Sequence, residues 1–460
     1  MSLIKSISGF RGTIGGNPGD NLTPIDAVKF AAAYGTWLKN QSTKESYKVV
    51  IGRDARISGQ MISQLVCSTL QGLGIHVIDL GLSTTPTVEV MVTHLEADGG
   101  IILTASHNPK QWNALKLLNA KGEFVSSEDG AQILATVDAD DYNFAEVDNL
   151  GNYETFEGAI DLHIEKILAL SLVNVEAIKA KKFKVAIDAV NSTGGISIPN
   201  LLDKLGVEYI KMYCEPTGHF PHNPEPLKEH LGDICAKVIE EKADFGIVVD
   251  PDVDRLAIID EKGNMFGEEY TLVAVADYVL SKTPSATVSN LSSSRALRDI
   301  ANKYGQNYSP SAVGEVNVVI EMKATDAKIG GEGNGGIIYP ELHYGRDSLV
   351  GIALFLSHLA EQNLTVSELR ATYPAYFMAK KKIELTPEIN VDDLLVKVQE
   401  LYKNEEINTV DGVKIDFANE WVHLRKSNTE PIIRIYTEST SEEAANQLAD
   451  KMIESIKSII

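Results

Sequence analysis

The chain has 460 residues, 44% of them hydrophobic and 23% charged, which calls for several globular domains and excludes a fibre or a disordered chain. Its 42 basic and 64 acidic residues leave a net charge of −22, which repels polynucleotides and anionic membrane surfaces, so neither is expected as a partner. An anionic metabolite is admitted only where a few Arg and Lys residues gather locally.

No apolar stretch approaches the ~18–20 residues of a membrane span, and the opening MSLIKSISGF lacks the apolar run of a secretory signal. The three cysteines, Cys67, Cys214 and Cys235, are odd in number and lack metal-type spacing, so a reducing, cytoplasmic setting is expected.

In chain order, residues 49–80 read as a buried strand, a polar Gly/Ser loop, a helix, a Leu-Gly stop and a second strand. The apolar strand GGIILTA then runs into Thr104-Ala105-Ser106-His107-Asn108-Pro109. A serine there stands at the carboxyl edge of a sheet, where α/β sites form, and Pro109 keeps Asn108 out of helical geometry. Ser106 is either a nucleophile or a turn residue capping a helix. The absence of G-x-S-x-G around it argues against an α/β-hydrolase. A domain seam is expected in the acidic stretch 137–153.

Residues 184–213 repeat the strand–loop–helix–strand pattern, and 286–313 repeat it more loosely. Such units predict α/β domains with mixed, mostly parallel sheets. Between the second and third copies lies Asp250-Pro251-Asp252-Val253-Asp254-Arg255, directly after FGIVV. Carboxylates at alternate extended positions face one way and can converge on a hard cation; the alternative is a solvated acidic turn. An EF-hand fits Glu261 at position twelve but fails at Arg255, where Gly is needed, and at RLAIID, which continues as a strand.

The third loop, Gly330-Gly331-Glu332-Gly333-Asn334-Gly335-Gly336, is entropically costly unless backbone must approach something closely. It has no P-loop Lys-Ser/Thr; Glu332 and Asn334 suit sugar hydroxyls, unless the segment is only a tight turn. Beyond about residue 372 the pattern becomes that of a smaller α+β domain. Its loop Arg425-Lys426-Ser427-Asn428-Thr429-Glu430-Pro431, with Arg434, offers guanidinium and hydroxyl groups to a phosphate dianion and is the local basic pocket sought above; surface ion pairing is the alternative.

Taken in this order, from Gly9-Phe10-Arg11-Gly12 through TASHNP, DPDVDR and GEGNGG to RKSNTEP, the chain resembles the α-D-phosphohexomutase superfamily over essentially its whole length. The resemblance implies four domains around a central cleft, three homologous α/β modules and a C-terminal α+β domain, each contributing one loop. The expected limits are 1–153, 154–257, 258–372 and 373–460. By the family's motifs, Ser106 bears the phosphoryl group, and Asp250, Asp252 and Asp254 hold one Mg²⁺ together with it. Lys116, ten residues further on, matches the acid/base lysine and lies with Arg11. His107 and Asn108 share the serine loop, Arg255 flanks the metal, and Arg425, Ser427, Asn428, Thr429 and Arg434 match the clamp on the non-reacting phosphate. Neighbouring cations and burial are expected to lower the Lys116 pKa.

The implied reaction passes through a sugar bisphosphate intermediate, which also serves as activator, and the implied assembly is a monomer or homodimer. The GEGNGG loop departs from the GEMSGH-type loop of phosphomannomutase/phosphoglucomutase relatives and is more similar to phosphoglucosamine mutases of an archaeal-like branch. The expected substrates are therefore glucosamine 6-phosphate and glucosamine 1-phosphate, with glucose or mannose phosphates as the alternative. Gly336 replaces that loop's usual His, and Asn428 replaces the usual Gly of the phosphate loop, where Asn also tolerates left-handed backbone.

Overall fold

A computed structural model of the chain describes residues 2–6, 9–386, 389–426 and 432–459. Two compact units divide the chain. One comprises Met1–Tyr278 and Gly335–Ser367, the other Val279–Asn334 and Glu368–Ile460.

The first unit opens with a seven-stranded sheet in the order Ile4–Ser6, Gly9–Thr13, Trp112–Leu118, Gly99–Leu103, Tyr47–Arg53, Ile75–Leu82, Tyr153–Thr155. The strand Tyr47–Arg53 pairs in parallel with both Ile75–Leu82 and Gly99–Leu103. Because side chains alternate, Val49 and Ile51 enter one core with helices Pro24–Asn40 and Gly59–Gly72, while Val50 enters another with helix Thr85–His94. Both faces are thus covered, which explains the unbroken apolar runs in these strands. Helix Pro24–Asn40 begins where Thr23 and Asp26 form a reciprocal capping box with proline in the first turn. The strand Tyr153–Thr155 pairs with Ile75–Leu82, so this sheet takes in residues beyond the seam expected at 153.

The second sheet of this unit runs Leu256–Ile259, Phe245–Val249, Lys184–Asp188, Glu208–Met212. Its three later strands are parallel neighbours, and Leu256–Ile259 returns antiparallel beside Phe245–Val249. A limit at 257 therefore cuts this returning strand, and the sheet continues past it.

In the second unit, Thr287–Asn290 pairs in parallel with Tyr308–Ser311 and with Ile329–Glu332. An antiparallel sheet follows in the order Phe377–Glu384, Ile432–Ser439, Trp421–Lys426, Val413–Asp416, Glu406–Asn408. One face packs against helices Val391–Leu401 and Glu442–Ile459 around Leu424, Ile433, Val398 and Met452. On the other face, Lys414 donates to the Leu291 carbonyl at 2.9 Å, His423 Nδ1 lies 2.9 Å from Ser292 Oγ, and the Arg295 amide donates to Glu438 at 3.1 Å.

The three expected repeats are all present as parallel strand pairs joined by helices Gly59–Gly72, Gly194–Leu205 and Ala296–Lys303. Among the described residues no helix is long and apolar enough to cross a membrane, and none of the three cysteines is in a disulfide.

Candidate active site

The serine and aspartate loops each lie between two consecutive strands of the chain. The serine loop links Gly99–Leu103 to its antiparallel neighbour Trp112–Leu118, and the aspartate loop links Phe245–Val249 to Leu256–Ile259 in the same manner. Both lie at the carboxyl end of a buried parallel strand, the place where α/β sheets present ligands.

Within the first unit these two loops meet. Ser106 Oγ donates to Asp250 Oδ2 at 2.7 Å and lies 3.4 Å from His107 Nδ1. Lys116 Nζ, from the strand after the serine loop, donates to Asp252 Oδ2 at 2.7 Å and to Asp254 Oδ2 at 3.5 Å. Arg11 lies on the adjacent strand opposite Ala114, and Lys116 lies opposite Gly9, so the two cations share one sheet face a diagonal step apart. Arg255 donates to Glu225 at 3.1 Å, and its amide donates to Asp250 Oδ1. Asn108 contributes its backbone carbonyl to the loop's anchor, described next.

Both loops are bent into conformations that residues with a Cβ avoid. Ser106 has φ +46° and the β-branched Val253 φ +65°. Buried contacts hold them there. Arg56, 1% exposed, donates to the carbonyls of Ser106, Asn108, Pro109 and Trp112 at 2.5–2.9 Å and is itself paired with Asp54. Thr104 Oγ1 links Asp54 to the Ser106 amide. In the other loop, Val253 donates to the Asp250 carbonyl and accepts from the Ser348 amide.

Sequence reasoning missed Arg56, along with Thr85 and Arg346. Thr85 Oγ1 donates to Asp252 Oδ2 at 2.6 Å, and Arg346 Nη2 donates to Asp254 Oδ2 at 2.6 Å. Arg56 stands in the GRDARISG loop, whose sequence shows only that it is polar. Thr85-Pro86 carries a helix-start signal, and nothing local marks Arg346.

Asp250, Asp252 and Asp254 are fully buried, with one carboxylate oxygen of each within 4.8 Å of the others. Burial, with Asp254 and Asp252 alongside, pushes Asp250 well above the usual carboxylate range. Burial pushes Asp252 the same way, but Lys116, with the hydrogen bonds of Thr85 and Asp250, outweighs it and holds that carboxyl below the usual range. Lys116 itself departs from expectation. Burial pulls it down, yet Asp252 and Asp254 outweigh burial and the neighbouring Arg346, so its pKa is raised, not lowered. Burial and then Arg255 press His107 down to about 3, leaving it a neutral imidazole at physiological pH.

The donor set fits a divalent cation. The Oδ1 atoms of Asp252 and Asp254 are buried and have no hydrogen-bond partner, which is costly unless a cation satisfies them.

The second unit holds the remaining described candidates. Glu332, 5% exposed, accepts from Asn290 Nδ2 at 2.8 Å and from the Gly314 amide at 3.1 Å. Asn334, half-buried, follows it at the end of that segment. Arg425 pairs with Asp411 at 2.8 Å and lies directly across from Arg434. Lys382 lies across from Arg434 on its other side, so three cations form a row over three strands. Ser427, Asn428 and Thr429 lie outside the described residues.

Family models agree with this layout. Those described as phosphoglucomutase/phosphomannomutase alpha/beta/alpha domains I, II and III match residues 4–144, 161–263 and 267–376, and the C-terminal domain model matches 386–455. The chain belongs to the phosphoglucomutase/phosphomannomutase family of four-domain phosphohexomutases and is an isomerase. It is 37% identical over 442 residues to a phosphoglucomutase/phosphomannomutase of Thermococcus kodakarensis, covering 95% of this chain and 96% of that one. It is 32% identical over 459 residues to a phosphoglucosamine/phosphogalactosamine mutase of Sulfurisphaera tokodaii, covering 98% of each. The crystal structure of a putative phosphomannomutase from Thermus thermophilus matches it with a TM-score of 0.83 at 26% identity, over 99% of this chain and 100% of that one.

Proposed function

We propose that the chain interconverts glucosamine 6-phosphate and glucosamine 1-phosphate through a phosphorylated Ser106 and a bisphosphorylated sugar. The observation that carries the reading is Ser106 Oγ bonded to Asp250 at 2.7 Å inside a cage of buried aspartates, with Lys116 2.7 Å from Asp252. Asp250, Asp252, Asp254 and the phosphorylated Ser106 would hold one Mg²⁺, which when bound neutralises charge on the transferring phosphoryl group.

The chain's own residues do the rest. Arg56 and the Thr104–Asp54 pair hold the serine loop so that Oγ faces the aspartates. As the Ser106 Oγ–P bond breaks, a sugar hydroxyl forms the new O–P bond and gives up its proton, and the Ser106 oxygen gains one. Lys116, a cation in this setting, would donate on the serine side and take up the proton that the sugar hydroxyl releases, and Arg11 would add positive charge beside it. The neutral His107 and the Asn108 backbone shape the loop, and Arg255 flanks the aspartates. Glu332 and Asn334 would meet the sugar hydroxyls. Arg425 and Arg434, with Ser427, Asn428 and Thr429, would hold the phosphate that does not react. The domains are taken to run 1–153, 154–257, 258–372 and 373–460, adjusted for the strands that cross two of those limits. A cytoplasmic setting fits the unpaired cysteines.

The glycine-rich GEGNGG loop favours glucosamine. It carries Gly333, Asn334 and Gly336 where the GEMSGH-type loop carries Met, Ser and His. A second reading, glucose or mannose phosphates, is favoured by the name of the Thermococcus relative. Comparing kcat/KM for the 1-phosphates of glucosamine, glucose and mannose decides between them; a clear preference for glucose or mannose ends the first reading. Intact-mass and peptide analysis should place one phosphoryl group on Ser106, and Ser106→Ala should lose turnover. Phosphate found only elsewhere overturns the mechanism.

A further inference from the structure

Behind the aspartates lies a second buried polar layer that no step above uses. The N-terminal ends of helices Thr85–His94 and Ser348–Gln362 point residues in two directions. Thr85 and Arg346 grip Asp252 Oδ2 and Asp254 Oδ2, while the Ser348 amide donates to the Val253 carbonyl. Thr87, Glu89 and Asp347 make a separate set of contacts. Thr87 Oγ1 lies 3.0 Å from His163 Nδ1, and His163 Nε2 lies 3.0 Å from Asp347 Oδ2. The same oxygen is 3.3 Å from His343 Nε2, and His343 Nδ1 is 3.3 Å from Glu89. Asp347 Oδ1 accepts the Leu349 and Val350 amides and so caps its helix.

Both His163 nitrogens and His343 Nε2 are within hydrogen-bond distance of an oxygen, and His343 Nδ1 forms an ion pair with Glu89. A metal at His163, His343 and Asp347 would have to displace those pairings, and the geometry is that of a relay. Its bridging member is His163, on helix Ala159–Leu168, which ties the Thr85–His94 helix to the cap of the Ser348–Gln362 helix.

We propose that this relay is a positioning network for the aspartate cage. By fixing the two helix ends against each other, His163 keeps Thr85 and Arg346 on the Oδ2 atoms. Each Oδ1, which has no protein partner, then stays aimed where a divalent cation would sit. The inference rests on reading the cage as the Mg²⁺ site.

Mn²⁺ titration of the full chain, followed by electron paramagnetic resonance, tests it. His163→Leu should weaken Mn²⁺ binding about 10- to 100-fold, the usual cost of losing an outer partner, and His163→Gln, which keeps a donor and an acceptor, should recover most of it. Thr87→Val removes one hydroxyl at the edge of the relay and should weaken binding less; it serves if His163→Leu does not fold. Wild-type Mn²⁺ affinity in a folded His163→Leu or in Thr87→Val overturns the inference. If wild type binds Mn²⁺ no better than Asp252→Asn, the reading of the cage has failed, and the inference with it.

Discussion

Ser106 and Val253 sit in backbone conformations that cost on the order of 1–3 kcal/mol each, and they persist because buried side chains over-determine them. Arg56 is the principal restraint on the first: one guanidinium serves four carbonyls and a carboxylate, more bonds than an ammonium's three hydrogens can make. Arg56→Ala should cost about 3–5 kcal/mol in urea unfolding, because it strands the buried Asp54. Arg56→Lys should fold better yet transfer phosphate poorly; full activity in Arg56→Lys would show that the serine loop holds its own shape.

A second expectation at this scale concerns His343. Burial lowers its pKa, but Asp347 and Glu89 outweigh burial and raise it to about 10 from an ordinary 6.5, with the His163 ring edge-on at 6.1 Å. A group with a raised folded pKa stabilises fully below its unfolded value and loses that contribution as pH climbs through the folded one. The stability advantage of wild type over His343→Gln should therefore shrink between pH 6.5 and about 10. A difference that stays constant over that range would mean His343 is neutral when folded.

Among the elements, the row Lys382–Arg434–Arg425 is informative because like charges directly opposite on neighbouring strands destabilise a sheet. Such a row is tolerated best where an anion joins it. Inorganic phosphate should raise the melting temperature of wild type and do so less for Arg434→Gln, whose KM for sugar phosphate should rise about tenfold, the loss of one charge-assisted bond. Equal phosphate stabilisation in both proteins would remove Arg434 from the clamp.

The repeated strand–loop–helix–strand pattern was legible in the sequence because local hydrophobic periodicity sets it, and all three copies pair in parallel. The serine and aspartate loops were legible because unusual residues cluster within a few positions. Thr85 and Arg346 were not: they reach the aspartates from 167 and 92 residues away, and only the fold brings them there. The direction of the Lys116 pKa was not legible for a related reason, since the two aspartates that raise it lie 136 and 138 residues off.

At the scale of the molecule, the compact units do not follow the four-domain order of the chain. Residues 279–334 belong with 368–460, while 335–367 returns to the first unit. The segment 290–299 is satisfied largely by the C-terminal portion: Leu291 by Lys414, Ser292 by His423, Arg295 by Asp416 and Glu438, and Asp299 by Tyr376. A chain ending at residue 372 should therefore not behave as three intact domains. Hydrogen exchange should find the Thr287–Asn290 strand poorly protected in that truncation while Tyr47–Arg53 stays protected. Equal protection of both strands would show that the third sheet stands without its partner.

That interleaving also sets an order of events on the ribosome. Residues 47–118 meet every strand they pair with, except the short segments 4–13 and 153–155 at the sheet's flank, within a single stretch of synthesis. The strand Thr287–Asn290 and the loop after it emerge with their parallel neighbours but must wait for residues 411–438, a delay on the order of ten seconds at about 5–20 residues per second. During that interval the carbonyl of Leu291 and the guanidinium of Arg295 lack the groups that finally enclose them. The third module therefore reaches its final hydrogen bonding only after the C-terminal sheet has been made.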